Sequence, residues 1–308
     1  MKKVRAFAPA TVANFVCGYD VLGFALNNCG DEVELSLNES NEITFELAEP
    51  NEFLSKLKPE QNVVYAMVKL FMEKQNITAG VHICLYKKMP LNSGMGSSSA
   101  SSVAALVAVN ALFGNPLTKQ QLLPLAMEGE RLACGNAHAD NVAPALFGGI
   151  VLISSYQPLE IVQLNVPKNL YASIIHPHIN VPTSDARKII KEHILLKDAV
   201  VQWGNVGGLI AGLYTNDYAL IGKSMQDVII EPSRALLIPY FYEIKKIAMN
   251  AGALGFGISG SGPSVFALNN NKEIAEKIAV DIQKFLANHD IKSDQFVSDI
   301  NLNGAITI

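Results

Sequence analysis

Some segments of the chain repeat hydrophobic residues with the period of a β-strand and others with the period of an α-helix, and these patterns predict the secondary structure. Apolar and polar residues alternate at 32–37, 43–47 and 80–88, which is typical of half-buried strands. Because a polar turn joins the first two segments, we expect them to form an antiparallel hairpin. Further strands are predicted at residues 4–8, 150–154, 171–175, 295–298 and 304–308. Helices are predicted at residues 59–74, 118–131, 197–214, 239–251 and 271–288.

The length of the chain, 308 residues, suggests two domains. Pro158 and Pro167 punctuate the region after the strand at 150–154, so the boundary is predicted near Ser155. The expected domains are residues 1–155 and 156–308.

Composition narrows the possible functions. Hydrophobic residues make up 49% and charged residues 17%, which excludes disorder, and no apolar run reaches the ~18 residues of a membrane span. The net charge of −4 argues against general nucleic-acid binding, so neither nucleic acid nor membrane is an expected partner. The basic start resembles a signal peptide, but Pro9, Asn14, Gly18 and Asp20 interrupt the apolar segment, which favours a cytoplasmic protein. The four cysteines are scattered and indicate neither a zinc site nor a disulfide framework.

A loop of small residues at 90–102 stands between the strand at 80–88 and a run of helix formers. Gly94 and Gly96 permit a tight turn, and Ser97–Ser99 open the helix, whose free N–H groups favour an anion such as phosphate. No lysine follows Gly96, so the loop is not a P-loop, and the third glycine of the dinucleotide fingerprint is missing. A serine-rich cap on a buried helix remains the alternative.

Polar residues interrupt two apolar segments. Asn14 and Asp20 lie in a glycine-bearing turn that is either a capped turn or a ligand wall. His138, Asp140 and Asn141 crowd together downstream of Glu128 and Glu130. No His-x-x-x-His pair supports a transition metal, whereas Mg²⁺ held by one carboxylate and phosphates is compatible.

Two further segments lie in the second half of the chain. Arg187 and Arg234 each follow a proline and a capping hydroxyl; singly each is typical of the surface, and together they suit a clamp for a carboxylate. Residues 252–264 are rich in glycine and serine, which is typical either of a plain turn or of backbone lying against a ligand or another loop.

Together these segments resemble the GHMP small-molecule kinases. Residues 90–100 are similar to that superfamily's ATP phosphate loop, and residues 257–264 to its third, glycine-rich motif. Residues 13–23, 138–149, 183–187 and 232–234 resemble, more narrowly, the members that phosphorylate L-homoserine. The resemblance implies an α+β, two-domain GHMP kinase fold, with an N-terminal ribosomal-protein-S5-domain-2-like domain that binds ATP and a C-terminal ferredoxin-like α/β domain.

The resemblance also implies an activity and a site. ATP, with Mg²⁺, would phosphorylate the side-chain hydroxyl of L-homoserine for threonine biosynthesis, in a homodimeric enzyme. The implied catalytic residues are Asn141, Arg187, Asp20 and His138. The implied substrate-binding residues are Asn14, Asp20, His138, Asn141, Arg187 and Arg234. The implied ATP-binding residues are Asn62 at the adenine, Lys87, Pro90, Leu91, Asn92, Ser93, Gly94, Met95, Gly96, Ser97, Ser98 and Ser99. The implied metal ligands are Ser98 and Glu130, and the third motif comprises Gly257, Ser259, Gly260, Ser261 and Gly262.

Two alternatives accompany this interpretation. A sister kinase for another small alcohol, such as mevalonate, would keep the loop and lose the two arginines with Asn14 and Asp20. A catalytically silent binding protein of the same fold would show a degraded loop or lack the carboxylate at Glu130, and neither change is present. The resemblance further suggests that no carboxylate is an obligatory base.

Overall fold

The structure is a computed structural model that describes residues 2–135 and 137–308, excluding the side chains of Cys134, Thr183 and Ser184. The strands in this part of the chain are β1 Lys3–Ala13, β2 Leu22–Asn38, β3 Ile43–Leu47, β4 Gly80–Tyr86, β5 Ile150–Tyr156, β6 Leu159–Leu164, β7 Tyr171–Pro177, β8 Gly255–Ile258, β9 Val265–Asn269, β10 Ser293–Asp299 and β11 Ile306–Thr307. The helices are α1 Val63–Lys74, α2 Ser97–Leu112, α3 Lys119–Cys134, α4 Ala139–Phe147, α5 Thr183–Lys188, α6 Leu196–Thr215, α7 Tyr218–Ser224, α8 Glu231–Arg234, α9 Phe241–Asn250 and α10 Lys272–Ala287. The predicted helices are confirmed, with ends shifted by a few residues.

The first sheet has the strand order β11-β1-β2-β4-β3, with β5 paired to the N-terminal part of β2 and β6 paired to β5. The predicted hairpin is wrong, because β3 pairs with β4, in parallel, and not with β2. Residues 32–38 of β2 are already paired with β4, so β3 adds to the outer edge of β4. Alternation predicts that a segment is a strand; it does not identify the partner strand.

Helix α2 is the centre of the N-terminal half. It packs on β1 and β2, and α1, α3 and α4 pack around it. Its residues are buried on all sides, including Ala100, Val103 and Leu106. The segment that enters α2 is therefore fixed by the largest hydrophobic core of the described chain.

The second sheet is antiparallel, with the order β10-β7-β9-β8. Chain order β7-β8-β9-β10 with α10 between the last two strands is the arrangement expected for a ferredoxin-like unit. A second core around Phe241, Phe256 and Ile278 fills the space between this sheet and α9 and α10.

The expected boundary at Ser155 lies inside β5, which continues to Tyr156 and pairs with β6. The change of sheet comes later, between residues 164 and 171. In addition, β11 returns from the end of the chain to pair with β1. A division after β6, rather than at Ser155, is therefore our proposal for the two domains.

Aromatic residues join the two halves. The rings of Phe15 and Phe24 lie 4.9 Å apart, and Phe266 of the second sheet lies 5.6 Å from Phe24. This contact fixes the turn after β1 against the second sheet. None of the helices in the described residues is both long and apolar enough to cross a bilayer.

Candidate active site

A cleft of about 530 Å³ lies where the two halves meet. Apolar side chains from residues 53–66, with Leu85 and Leu132, line one part of it. Backbone of the loop before α2 lines a second part. The polar and charged lining residues include Asn14, Asp20, Asn62, Lys87, Glu130, His138, Asp140, Asn141, Arg187 and Arg234. Most of the residues predicted for ATP and for substrate therefore share one cleft.

The loop before α2 turns through left-handed backbone at Asn92, Gly94 and Gly96. Gly96 has φ +66°, and a Cβ there would lie 2.1 Å from Thr11 Oγ1. Gly96 precedes the first residue of α2 and provides no side-chain cap, and the buried Ser97 hydroxyl has no hydrogen-bond partner among the described atoms. An uncapped helix N-terminus beside an unpaired hydroxyl fits an anionic ligand such as a phosphate group.

Glu130 reaches this helix end from α3. Its Oε1 accepts hydrogen bonds from the Ser98 hydroxyl at 2.9 Å and the Ser99 hydroxyl at 2.6 Å. The carboxylate is only 6% exposed. In the described residues no group of three or more His, Cys, Asp or Glu could hold a metal by itself. Oxygen donors from Ser98 and Glu130 suit Mg²⁺ if phosphates and water supply the remaining ligands.

Lys87 follows β4 and lines the cleft, but its ammonium group contacts protein atoms. Nζ donates to Asp31, to the Ser97 carbonyl at 2.9 Å and to the Ser101 hydroxyl at 3.0 Å. Asp31 is fully buried and also accepts from the Lys88 N–H at 3.0 Å. The Lys87–Asp31 pair thus stabilises the first turn of α2 beside the cleft.

Other predicted ATP residues divide into two groups. Leu91, Asn92 and Ser93 line the cleft, and Asn62 lines it while capping α1 through a 2.9 Å bond from Val64 N–H. Three of the predicted ATP residues, Pro90, Met95 and Ser99, do not line the cleft. The Met95 side chain is fully buried in the core, and the Ser99 hydroxyl is bonded to Glu130.

The third motif forms the turn between β8 and β9 and packs on the phosphate loop. The Ser259 hydroxyl donates to the Gly94 carbonyl at 2.8 Å, and a Cβ on Gly94 would lie 2.6 Å from the Gly262 carbonyl oxygen. Gly260 and Ser261 reach the cleft. Gly257 instead faces Val16, where a Cβ would lie 2.8 Å from the Val16 side chain.

The turn after β1 carries Asn14 and Asp20, both with left-handed φ. Asn14 Nδ2 donates to the Gly260 carbonyl at 2.9 Å, and Asn14 Oδ1 accepts from the Asp20 N–H at 3.1 Å. Asn14 therefore closes this turn and ties it to the third motif, leaving the Asp20 carboxylate in the cleft.

Basic side chains from three other segments lie around Asp20. Arg187 of α5 places Nη1 and Nη2 at 3.3 and 3.4 Å from the two carboxylate oxygens, and His138 Nδ1 lies 3.6 Å from Oδ2. Arg234 is buried and donates to the carbonyls of Ala186 at 3.1 Å and Gly260 at 2.9 Å. The two predicted arginines therefore lie close together, since Arg234 donates to the carbonyl of Ala186, the residue before Arg187.

Burial changes the ionisation of this region. It lowers the pKa of His138, although the Asp20 charge acts in the opposite direction, so the imidazole is neutral at pH 7. Its Nε2 is buried without a partner among the described atoms. Burial, reinforced by the charges of Asp20 and Glu130, raises the pKa of Asp140 to about 8.

Comparison with known proteins places this site in a family. The GHMP kinases N terminal domain matches residues 62–149, and the GHMP kinases C terminal domain matches residues 209–288. A homoserine kinase of Chlorobium phaeovibrioides is 48% identical, over 99% of each chain. The chain belongs to the homoserine kinase family.

Solved structures agree with this membership. The crystal structure of homoserine kinase from Cytophaga hutchinsonii has 52% identity and a TM-score of 0.95, and the match covers 100% of this chain and 98% of that one. The mevalonate kinase of Methanococcus jannaschii has 18% identity and a TM-score of 0.71, covering 96% and 98% of the two chains, which shows a common fold. ATP use is a property of the GHMP kinases.

Sequence reasoning about the homoserine kinase site missed three residues. Thr11 donates to Asn141 Oδ1 at 2.7 Å, Asp31 anchors Lys87, and Tyr156 contacts the backbone of Asp20. Each of the three lies in a strand, and the residues next to it in the sequence form no recognisable motif. Asp31 stands beside Gly30 and Glu32, so its sequence neighbours do not mark it as buried.

Proposed function

We propose that the chain transfers the γ-phosphoryl group of ATP to the side-chain hydroxyl of L-homoserine, forming O-phospho-L-homoserine in threonine biosynthesis. The observation that carries the proposal is the position of Asp20, Arg187 and Arg234 in the same cleft as the uncapped N-terminus of α2. One region suits phosphates, and the other suits a small molecule with both an ammonium and a carboxylate group.

The charged region matches a zwitterionic amino acid. Charge-assisted N–H···O bonds are usually about 2.7–2.9 Å long, and the Arg187–Asp20 contacts are longer, at 3.3 and 3.4 Å. A bound homoserine would therefore exchange weak contacts for stronger ones. Its ammonium would take the Asp20 carboxylate, and its carboxylate would take Arg187 and Arg234.

ATP would lie along the loop before α2, with its phosphates at Gly94–Ser98 and its base near Asn62. Ser98 and Glu130 would hold Mg²⁺, and when bound the ion supplies positive charge against the phosphate oxygens. The Lys87 ammonium is paired with Asp31, and its hydrogen bond to the Ser97 carbonyl holds the start of the helix in place.

Catalysis in this proposal depends on positioning, without an obligatory carboxylate base. The raised pKa of Asp140, about 8, keeps most of that carboxyl protonated at pH 7, and Asp20 would be paired with the substrate ammonium. Thr11 donates to Asn141 Oδ1, so the amide N–H₂ of Asn141 is directed away from Thr11 as a donor for the reacting groups. Alignment and charge neutralisation supply most of the acceleration in phosphoryl transfer. A pH–rate profile whose acidic limb disappeared in Asp20→Asn, with homoserine affinity intact, would contradict this mechanism.

The experiment measures ATP consumption with no acceptor, with L-homoserine, and with mevalonate, L-serine and L-threonine. We expect turnover that depends on L-homoserine and formation of its O-phosphate. Turnover with mevalonate in its place would support the sister kinase, and ATP binding without turnover on any acceptor would support the silent binding protein.

Two further expectations belong to this proposal. We propose a homodimer, supported by an exposed apolar face of α6 that includes Leu196, Val200 and Trp203, with no charged residue between 199 and 215. Sedimentation velocity tests it, with Trp203→Lys expected to shift the species to a monomer. A cytoplasmic location remains an expectation from the sequence, and fractionation of cells tests it.

A further inference from the structure

Tyr156, in β5, forms a bridge between two segments of the homoserine site. Its hydroxyl donates to the Asp20 carbonyl at 2.7 Å and accepts from the Ala139 N–H at 3.3 Å. Asp20 belongs to the turn after β1, and Ala139 is the first residue of α4, directly after His138. A single hydroxyl group therefore connects segments that are more than a hundred residues apart in sequence.

Both ends of the bridge need such a contact. Asp20 has a left-handed φ of 59°, a conformation that a residue with a side chain keeps only when its surroundings hold it. At the other end, α4 begins at Ala139 without a side-chain cap from His138, and its first N–H groups have no partner within the helix. The tyrosine hydroxyl satisfies one of those N–H groups.

The bridge sets the distance between two groups that face the ligand. The Asp20 carboxylate and His138 Nδ1 lie 3.6 Å apart, and the hydroxyl holds the backbone next to each of them. Tyr156 itself is absent from the described lining of the cleft, so it acts through Asp20 and His138. Burial raises the pKa of Tyr156, so the hydroxyl keeps its proton and its donor role across the working pH range.

We propose that Tyr156 is a positioning residue of the homoserine site, which its hydroxyl assembles by joining the Asp20 carbonyl to the Ala139 N–H. The proposal rests on the proposed function, because it assigns Asp20 and His138 to the amino acid. It predicts that loss of the bridge weakens homoserine binding and leaves ATP binding unchanged.

The test is Tyr156→Phe, which removes the hydroxyl alone from a side chain that is 36% exposed. The variant loses two neutral hydrogen bonds, of which the one from the Ala139 N–H is long at 3.3 Å. Together they are worth about 1–2 kcal/mol, so we expect the KM for L-homoserine to rise about 5- to 30-fold. The KM for ATP and the kcat should each stay within about two-fold of wild type. The two KM values and the kcat are measured on the whole chain with saturating Mg²⁺.

Tyr218→Phe is the matched control. Tyr218 also donates its hydroxyl to a backbone carbonyl, that of Lys168, but it is not part of the cleft lining. Loss of the Tyr218 hydroxyl should lower the Tm without changing either KM.

A second variant, Ala139→Pro, removes the N–H that donates to Tyr156, at a first helical position, which accepts proline. His138 has extended backbone, as a residue before proline requires. Ala139→Pro should raise the homoserine KM, as Tyr156→Phe does.

The outcomes separate the two proposals. If wild type consumes ATP with L-homoserine and Tyr156→Phe keeps the wild-type homoserine KM, the positioning role is wrong. Equal rises in both KM values, or a lower Tm with no kinetic change, would likewise assign Tyr156 a structural role only.

If wild type shows no homoserine-dependent turnover, the proposed function fails. The bridge is then tested by the melting temperatures of Tyr156→Phe, Ala139→Pro and the double variant. Additive losses of Tm would overturn the bridge itself, and less than additive losses would support it.

Discussion

The loop before α2, which we propose as the phosphate loop, and the charged residues around Asp20, which we propose as the homoserine region, share one cleft, but they are built differently. Around the start of α2, Glu130 and Lys87 make hydrogen bonds of 2.6–3.0 Å to serine groups of the helix, and the loop is one continuous segment. Around Asp20, Arg187 and His138 come from two other segments and lie 3.3–3.6 Å from the carboxylate. The serines at the start of α2 are therefore held by short contacts within the protein, whereas the homoserine region has longer contacts that a ligand can replace. Changes in the first should act on turnover, and changes in the second on the KM for homoserine.

The largest effect is expected for Gly96→Ala. A Cβ at this position would lie 2.1 Å from Thr11 Oγ1 and 2.8 Å from Asn141 Oδ1, on backbone with φ +66°. The loop would have to move, and we expect kcat/KM to fall by about 1,000-fold or more, with a lower Tm. Steady-state kinetics and thermal unfolding measure the two effects.

Gly114→Ala is the control for backbone strain alone. Gly114 also has positive φ, +88°, but a Cβ there meets no atom within 4 Å. It should lower stability by about 1 kcal/mol and leave kinetics unchanged. If both variants had the same kinetics, rigid packing of the phosphate loop would not matter for activity.

The next largest effect is expected for Glu130→Gln, which keeps an acceptor for Ser98 and removes the charge. We expect kcat to fall about 100-fold, with a higher Mg²⁺ requirement for ATP binding and a homoserine KM within about two-fold of wild type. Ser98→Ala should change the same constants less strongly. Glu128→Gln is the control, because Glu128 lies on the same helix and pairs with Arg131 at the surface. A raised homoserine KM in Glu130→Gln, with unchanged Mg²⁺ dependence, would remove the distinction between the two regions.

Arg187→Ala tests the homoserine region. Removal of a charged partner of the substrate carboxylate costs about 1.5–3 kcal/mol, so the homoserine KM should rise about 10- to 150-fold while the ATP KM stays constant. Lys188→Ala, at the neighbouring exposed position, should change neither constant. Weakening of ATP binding alone in Arg187→Ala would show that we have assigned the arginine to the wrong ligand.

The same contrast explains what the sequence revealed. The phosphate loop was predictable because a strand, two glycines, a serine run and a helix follow one another, and local steric rules determine the result. The pairing of β3 with β4 was not predictable, since alternation leaves the partner strand open. Arg187 and Arg234 were proposed as a pair from similar neighbours, but their distance from Asp20 depends on how the two sheets pack. Thr11 and Tyr156 were missed because a hydroxyl that contacts backbone or amide across the fold leaves no pattern in its own segment.

The smallest effect concerns pH and His138. Burial lowers the pKa of this imidazole, so it gains a proton only below the ordinary value of about 6.5. The charged ring, 3.6 Å from Asp20, would then compete with the homoserine ammonium for the carboxylate. We expect the homoserine KM to rise a few-fold as the pH falls below about 6.5, with no such rise in His138→Gln.

Stability provides an independent check on His138 that needs no substrate. Because its folded-state pKa is depressed, the unfolded chain takes up the proton first as the pH falls. Wild type should therefore lose stability relative to His138→Gln as the pH drops from the unfolded value of about 6.5 toward the lower folded-state pKa. The measurement is urea unfolding of both proteins over this range. Parallel stability curves would show that the imidazole titrates normally, and the pH dependence of the homoserine KM would then have to come from another group.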